Sequence, residues 1–262
     1  MNAFKGVIDM TQQTERLAEA DIRAILRAAD ELIATGGRTL LAKILKGSRE
    51  KKLLQLELDH CPVYGYFKGT KLDDVLVKID WMLDYELLDI QYSGKLPMII
   101  FTERGWEIER DQRADEFLQE WNDWLAAGKQ DPDMHYLKDR NRGMILLLLD
   151  KIKETGNPKY IPYLQEWEKI DYRKVRAAIR ETIQALESDE PANLQAARER
   201  SASIQEALKG LEPRDVWLKC WVCGERFLFT AGEQHFFKQK GFVDPKRCPS
   251  CRGKRDDDIW LE

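Results

Sequence analysis

Thr70-Lys-Leu-Asp-Asp-Val-Leu-Val-Lys-Ile-Asp-Trp-Met-Leu-Asp-Tyr-Glu-Leu-Leu-Asp-Ile-Gln-Tyr-Ser-Gly-Lys-Leu-Pro-Met-Ile-Ile-Phe101 decides the fold. Thr70 reads as an N-cap, with Asp73 and Asp74 in the first turn, where carboxylates favour the helix dipole. Leu72, Val75, Leu76, Ile79, Met82 and Leu83 recur at helical spacing and make one apolar face. Leu88-Asp-Ile-Gln-Tyr92 and Pro97-Met-Ile-Ile-Phe101 are short β-type runs, and Ser93-Gly94-Lys95 between them is a hairpin signal. The stretch reads as helix, strand, turn, strand.

Two further helices precede it. From Glu15 to Thr35, Leu17, Ile22, Ile25, Leu26, Ala29, Leu32 and Ile33 keep a helical period, and Gly36-Gly37 stops it. A short helix spans Thr39 to Leu45 and is broken at Gly47-Ser48. A loop rich in turn and aromatic residues follows, Asp59-His-Cys-Pro-Val-Tyr-Gly-Tyr-Phe-Lys-Gly69. Three helices and a two-stranded wing make a winged helix, expected over residues 14–110. Thr102-Glu-Arg-Gly105 closes the wing.

Downstream the chain reads as helical over residues 111–213. An amphipathic segment from Arg110 to Ala127 carries Phe117, Leu118, Trp121, Trp124 and Leu125, and helical patterns run from Lys138 to Leu186 and again to Leu208. Met144-Ile-Leu-Leu-Leu-Leu149 is the longest apolar run; it is too short to span a bilayer and is expected as a buried helix turn. The fold class is therefore mainly α, with a small C-terminal module of a different kind.

That module is marked by cysteines. Cys220-Trp-Val-Cys223 and Cys248-Pro-Ser-Cys251 hold four of the five cysteines, separated by 24 residues. Two such knuckles match a tetrahedral four-thiolate site, so one structural Zn2+ on Cys220, Cys223, Cys248 and Cys251 is expected within a zinc ribbon at residues 216–255. Four thiolates close the coordination sphere and leave no position for catalysis. His235 is expected to pack among its aromatic neighbours rather than to ligate. The N-terminus has no apolar signal core, so a reducing cytoplasm is the expected compartment, where paired knuckles bind metal.

The formal net charge is −4, but it is unevenly spread. Residues 38–52 hold Arg38, Lys43, Lys46, Arg49, Lys51 and Lys52 against Glu50 alone. Such a cluster is either a solvated helix face or a phosphate-binding patch. No Gly-x-x-x-x-Gly-Lys-[Ser/Thr] occurs, so no nucleotide site of the P-loop type is expected, and the scattered histidines at 60, 135 and 235 suggest no catalytic group.

Leu45-Lys-Gly-Ser-Arg-Glu-Lys-Lys52 resembles the L-R-G-S-K-x-x-K segment of the RQC domain, the winged helix that follows the helicase core in RecQ helicases. Asp59, Tyr64-Gly65, Leu87-Leu88, Thr102 and Gly105 fall in the order and spacing of its other motifs, over about residues 15–108. Without a helicase core, the chain is similar to stand-alone bacterial proteins of the RQC-minor kind. The resemblance implies binding to duplex or forked DNA. Gly47 and Ser48 would present backbone N–H and hydroxyl to phosphate, although Ser48 reads equally as a cap. Arg49, Lys52 and Lys46 would supply charge, with Arg38, Lys43, Lys51 and the wing residue Lys95 as further candidates. The chain departs from the family where Leu58 replaces a histidine and Asp80-Trp81 a polar pair in the third helix. An acidic residue there would repel phosphate, and the turn at Ser93-Gly94-Lys95 lacks an aromatic side chain.

Two other stretches carry resemblances. Residues 218–252, with Phe227-Leu-Phe-Thr-Ala-Gly-Glu-Gln234 between the knuckles, closely resemble a bacterial zinc-ribbon family, which implies a metal-bound module. Asn157 to Leu186, with Asp171, Val175-Arg176 and Ala178-Ile179, is similar to a HEAT-type helix pair, although a solenoid needs three repeats or more. Its cations Arg173, Lys174, Arg176 and Arg180 lie among acidic residues.

The sequence thus leads to the expectation of a non-enzymatic DNA-binding protein, with forked or structured DNA in repair or replication as its setting, and with no membrane span. Lys246, Arg247, Arg252, Lys254 and Arg255 are additional contact candidates. The alternative is an adaptor that binds a protein partner through the helical middle and the zinc module.

Overall fold

The computed structural model describes residues 16–188 and 194–253. The described residues form two compact units: those within 1–102 and 210–262 make one, and those within 103–209 make the other. The first unit is discontinuous in sequence.

In the first unit, α1 (Glu19–Asp30), α2 (Arg38–Lys46), α3 (Lys51–Gln55) and α4 (Leu72–Asp84) precede the antiparallel strands β1 (Leu88–Ser93) and β2 (Leu96–Phe101). The apolar faces read from the sequence meet: Ile25, Leu26, Leu41, Ile44, Leu45, Val75, Ile79, Met82 and Ile99 are all fully buried. Leu88 pairs with Phe101 and Ser93 with Leu96, leaving a two-residue turn in which Gly94 takes φ +61°. The hairpin is tied to the helices at its base, where Ala34 N–H donates to Ile99 O (3.0 Å) and Ile99 N–H to Gly36 O (2.9 Å).

These ties shorten the first helix relative to expectation. Residues 31–35 form turns, with Ala34 at φ +56°, so that the chain can reach β2. The fourth helix is capped by Lys71, and Thr70 instead donates its amide to Phe67 O (2.9 Å) within the preceding turn.

The second unit contains α5 (Glu103–Ala127), α6 (Arg142–Thr155), α7 (Ile161–Ile170), α8 (Arg173–Glu187) and α9 (Gln195–Ala207). Helix α5 starts at Glu103 and runs through the 110/111 boundary expected from sequence; Gly105 is buried inside it. The core mixes aromatic and aliphatic side chains in one cluster. Trp121 is fully buried among Tyr163, Trp167 and Tyr160, while Ile145, Leu148, Leu149 and Ile152 of α6 are buried as the apolar run required. Helix α8 packs on both α6 and α7.

The chain then returns to the first unit. Strands β3 (Val216–Lys219) and β4 (Arg226–Phe229) pair antiparallel, followed by α10 (Ala231–Lys240) and α11 (Pro249–Arg252). Thr230 and Glu233 form a reciprocal capping box at the start of α10. Gly210 takes φ +69° against Tyr85, where a Cβ would lie 2.7 Å from the Tyr85 Cβ, and Leu211 N–H donates to Tyr85 O (2.8 Å). Gly241 takes φ +68° against Tyr92 of β1, and any side chain there would collide with that ring. Both glycines permit close backbone approach at a positive φ.

Candidate zinc centre and nucleic-acid interface

Cys220 and Cys223 lie in the tight turn between β3 and β4, closed by Cys220 N–H to Glu225 O (2.8 Å) and Gly224 N–H to Cys220 O (3.0 Å). Cys248 caps α11 and Cys251 lies in its first turn, with Pro249 between them at a position that needs no amide donor. Trp221 N–H donates to Lys246 O (2.9 Å), joining the two ligand loops. The four Sγ atoms all lie within 4.8 Å of one another, and Cys223 and Cys248 are 3.8 Å apart. Tetrahedral Zn–S bonds of about 2.3 Å place sulfurs about 3.8 Å apart, so the cage fits one structural Zn2+.

The charge balance of the cage also calls for a cation. Backbone N–H groups of Cys223 and Cys248 lower the Cys220 thiol to about 6. Hydrogen bonding to Cys248 and burial push Cys251 up to about 12. Four thiolates this close cannot all ionise without a positive ion between them.

The basic stretch folds around the end of α2. Gly47 takes φ +73° as its C-cap, and a Cβ there would lie 3.0 Å from Gly65 Cα. Gly65 N–H donates to Ile44 O (3.0 Å) and Phe67 N–H to Leu45 O (2.8 Å), laying the aromatic loop across the helix end. Tyr64 is half-buried and donates its hydroxyl to Ser48 O (3.0 Å), which fixes the turn into α3.

Residues 14–117 match the family model of the RQC domain, and residues 214–258 match that of a probable treble clef domain. The N-terminal region is RQC-like. No curated protein and no solved structure matches the chain. The second match sharpens the expected ribbon: the last two ligands come from the start of a helix, as α11 shows, and the treble clef supplies the zinc cage. Together the two families point to nucleic-acid binding.

Within the RQC-like region the candidate cations divide into two groups. Arg38 is held by Asp80 of α4, Nη2 to Oδ2 at 2.6 Å. Lys43 pairs with Glu50 (2.6 Å), and Lys46 donates to Lys68 O (2.5 Å). Arg49, Lys51 and Lys52 are exposed, and no ion pair engages them among the described residues; Lys95 is exposed at the wing turn. One expectation is corrected. The Gly47 and Ser48 amides donate to Ile44 O (2.9 Å) and Lys43 O (3.0 Å), so neither is available to a phosphate. The Ser48 hydroxyl sits 3.4 Å from the Glu50 amide and serves the turn into α3.

Helix α4 is unsuited to phosphate. Its exposed residues include Asp73 and Asp74, and its Lys78 is neutralised by Asp21 (2.7 Å). Asp84, at its end, is 2.6 Å from His235 Nδ1 of α10. His235 is thus neither a fifth ligand nor simple packing: its ring bonds Asp84, a contact between the treble clef and the winged helix that becomes an ion pair when the imidazole is protonated. These two residues are 151 positions apart, and no spacing rule could join them. Among the treble-clef cations, Arg252 lies over the Phe227 and Phe237 rings and Lys246 over Trp221, while Lys254 and Arg255 lie outside the described residues.

The Asp84 hydrogen bond raises the His235 pKa above 6.5, with Asp80 adding to the rise, and burial and Arg38 opposing it. A group whose folded pKa is raised contributes stability that is complete below its unfolded pKa and disappears as pH rises through the folded value. His235→Gln should therefore lower the urea midpoint of the zinc-bound protein more at pH 6 than at pH 9. Equal losses at both pH values would show that the pair does not titrate.

The helical unit holds a pocket of about 400 Å³ lined by Arg140, Arg142, Arg173 and Lys174 together with Asp139 and Asp171. Of the cations noted in that region, Arg180 is paired with Glu168 (2.6 Å). Among the described residues no helix is long and apolar enough to cross a membrane.

Proposed function

We propose that this is a non-enzymatic, cytoplasmic DNA-binding protein whose RQC-like winged helix contacts the phosphate backbone of duplex DNA. Forked or otherwise structured DNA in repair or replication is the setting that fits such a module. The observation that carries this reading is the trio Arg49, Lys51 and Lys52. In a chain of net charge −4, with Arg38, Lys43 and Lys78 paired to carboxylates, these three clustered cations stand exposed and form no ion pair among the described residues. Lys95 extends the same charge to the wing. Such contacts position a duplex without reading its sequence, in keeping with an α4 whose solvent face is acidic.

Fluorescence anisotropy with a labelled duplex at several salt concentrations tests this. Arg49→Ala combined with Lys52→Ala should weaken binding to every sequence alike and reduce the log–log salt slope by about 2, one for each lost phosphate contact. Unchanged affinity and slope would remove the site. If the intact protein fails to bind duplex or fork at low salt, the protein-adaptor reading takes its place.

A further inference from the structure

The treble clef leaves large aromatic rings exposed, although Phe242 also meets the core ring Phe237 edge to face at 5.7 Å. Trp221, in the first knuckle, is 75% exposed, with Lys246 Nζ 4.5 Å from its ring centroid. Phe242 is 56% and Phe236 48% exposed; their centroids are 6.1 Å apart, and Lys240 lies 5.9 Å from the Phe236 ring. A buried aromatic contributes to stability through the area it removes from water, and rings left this open contribute little.

Their location and charge indicate what covers them. Phe242 follows Gly241, where an added Cβ would run into the Tyr92 ring of the wing, so Phe242 adjoins the hairpin. Phe242 and Lys246 are four positions apart, which limits that span to about 14 Å. Residues 216–253 carry seven Lys and Arg against three Asp and Glu, an excess that outlasts the net −2 of a zinc tetrathiolate. Flat rings flanked by ammonium groups favour an anionic chain of planar units. Duplex bases are stacked on one another and hide their faces, whereas unpaired bases offer them.

We propose that the treble clef is a single-strand binding surface, on which unpaired bases stack against Trp221 and Phe242 while Lys240 and Lys246 meet the phosphates. This rests on the DNA-binding reading above and adds a second form of nucleic acid to it. Duplex would lie on the α2–α3 turn and the wing, and an emerging single strand on the adjoining rings.

The test uses full-length, zinc-loaded protein, with a labelled 12-nucleotide oligo-dT and a labelled duplex measured side by side. Trp221→Ala and Phe242→Ala should each weaken oligo-dT binding about tenfold, within the range for loss of one stacked base. Trp221→Tyr should restore most of it, and all variants should keep wild-type duplex affinity and one zinc per chain. Wild-type oligo-dT affinity in both alanine variants would overturn the proposal. So would duplex binding by the wild type with no oligo-dT binding, which would leave the winged-helix reading intact. Loss of both in the wild type would overturn both. A concentration-dependent dimer abolished by Phe242→Ala, with oligo-dT binding unchanged, would assign the rings to a second copy and also overturn it.

Discussion

Stripping the zinc, or replacing Cys220 with Ser, is expected to unfold residues 216–253 while the helical unit stays folded. The reason is the size of the module's core. Apart from the buried thiols Cys220, Cys248 and Cys251, that core contains Phe227 with Leu218 packed beside it, and Phe229 against Phe237. Apolar burial on this scale cannot offset the entropy of ordering nearly forty residues. Structural zinc contributes about 10–16 kcal/mol in comparable modules, and this contribution is folding free energy. Limited proteolysis with and without a strong chelator, alongside metal analysis, reads the effect directly. A metal-free protein that stays resistant to cleavage across 216–253 would contradict this account. The same treatment should abolish the pH-dependent contribution of His235, because α10 is placed by the cage.

The second large effect belongs to the helical unit. Trp121→Ala should destabilise it by about 3–5 kcal/mol, the usual cost of deleting a large buried aromatic. Trp121 is fully buried, and the rings of Tyr163 (5.8 Å) and Trp167 (5.9 Å) meet it edge to face. Its Nε1–H also donates to the Tyr136 hydroxyl at 2.9 Å. Truncation removes the packing, opens a cavity and takes away the donor to a hydroxyl that burial already holds above its ordinary pKa. Trp121→Phe should recover part of the packing but not the hydrogen bond. Urea unfolding followed by far-ultraviolet circular dichroism measures both, and a loss below 1 kcal/mol for the alanine variant would mean that the site collapses around the gap.

Much of the architecture was legible because it rests on local rules. The apolar periods of α1, α2 and α4, the turn at Gly94 and the two knuckles each depend on residues a few positions apart, and each appears in the folded chain, although α1 ends at Asp30 and α4 is preceded by Lys71 rather than Thr70 at its N-cap. The short helix α3 was hidden because five residues carry too little periodicity to detect. The basic stretch was visible as a charge excess, but its division was not. Asp80 is 42 residues from Arg38, so only the folded chain shows that Arg38 is taken and Arg49 is open. Likewise Gly47 and Ser48 matched a phosphate-binding pattern, yet their amides close the end of α2 instead, as a left-handed cap requires. The docking of the treble clef was beyond any sequence rule, since Tyr92 meets Gly241 and Asp84 meets His235 across an intervening unit.

That discontinuity bears on how the protein is made. During synthesis Asp84 must wait for a partner 151 residues further along the chain. At about 5–20 residues per second, the delay is about 8–30 s, long enough for α1–α4 and the helical unit to fold first. During that interval the surface that later receives α10 stands open to solvent and to other nascent chains. If the treble clef folds only with its metal, α10 can dock on that surface only after the cage has captured its ion.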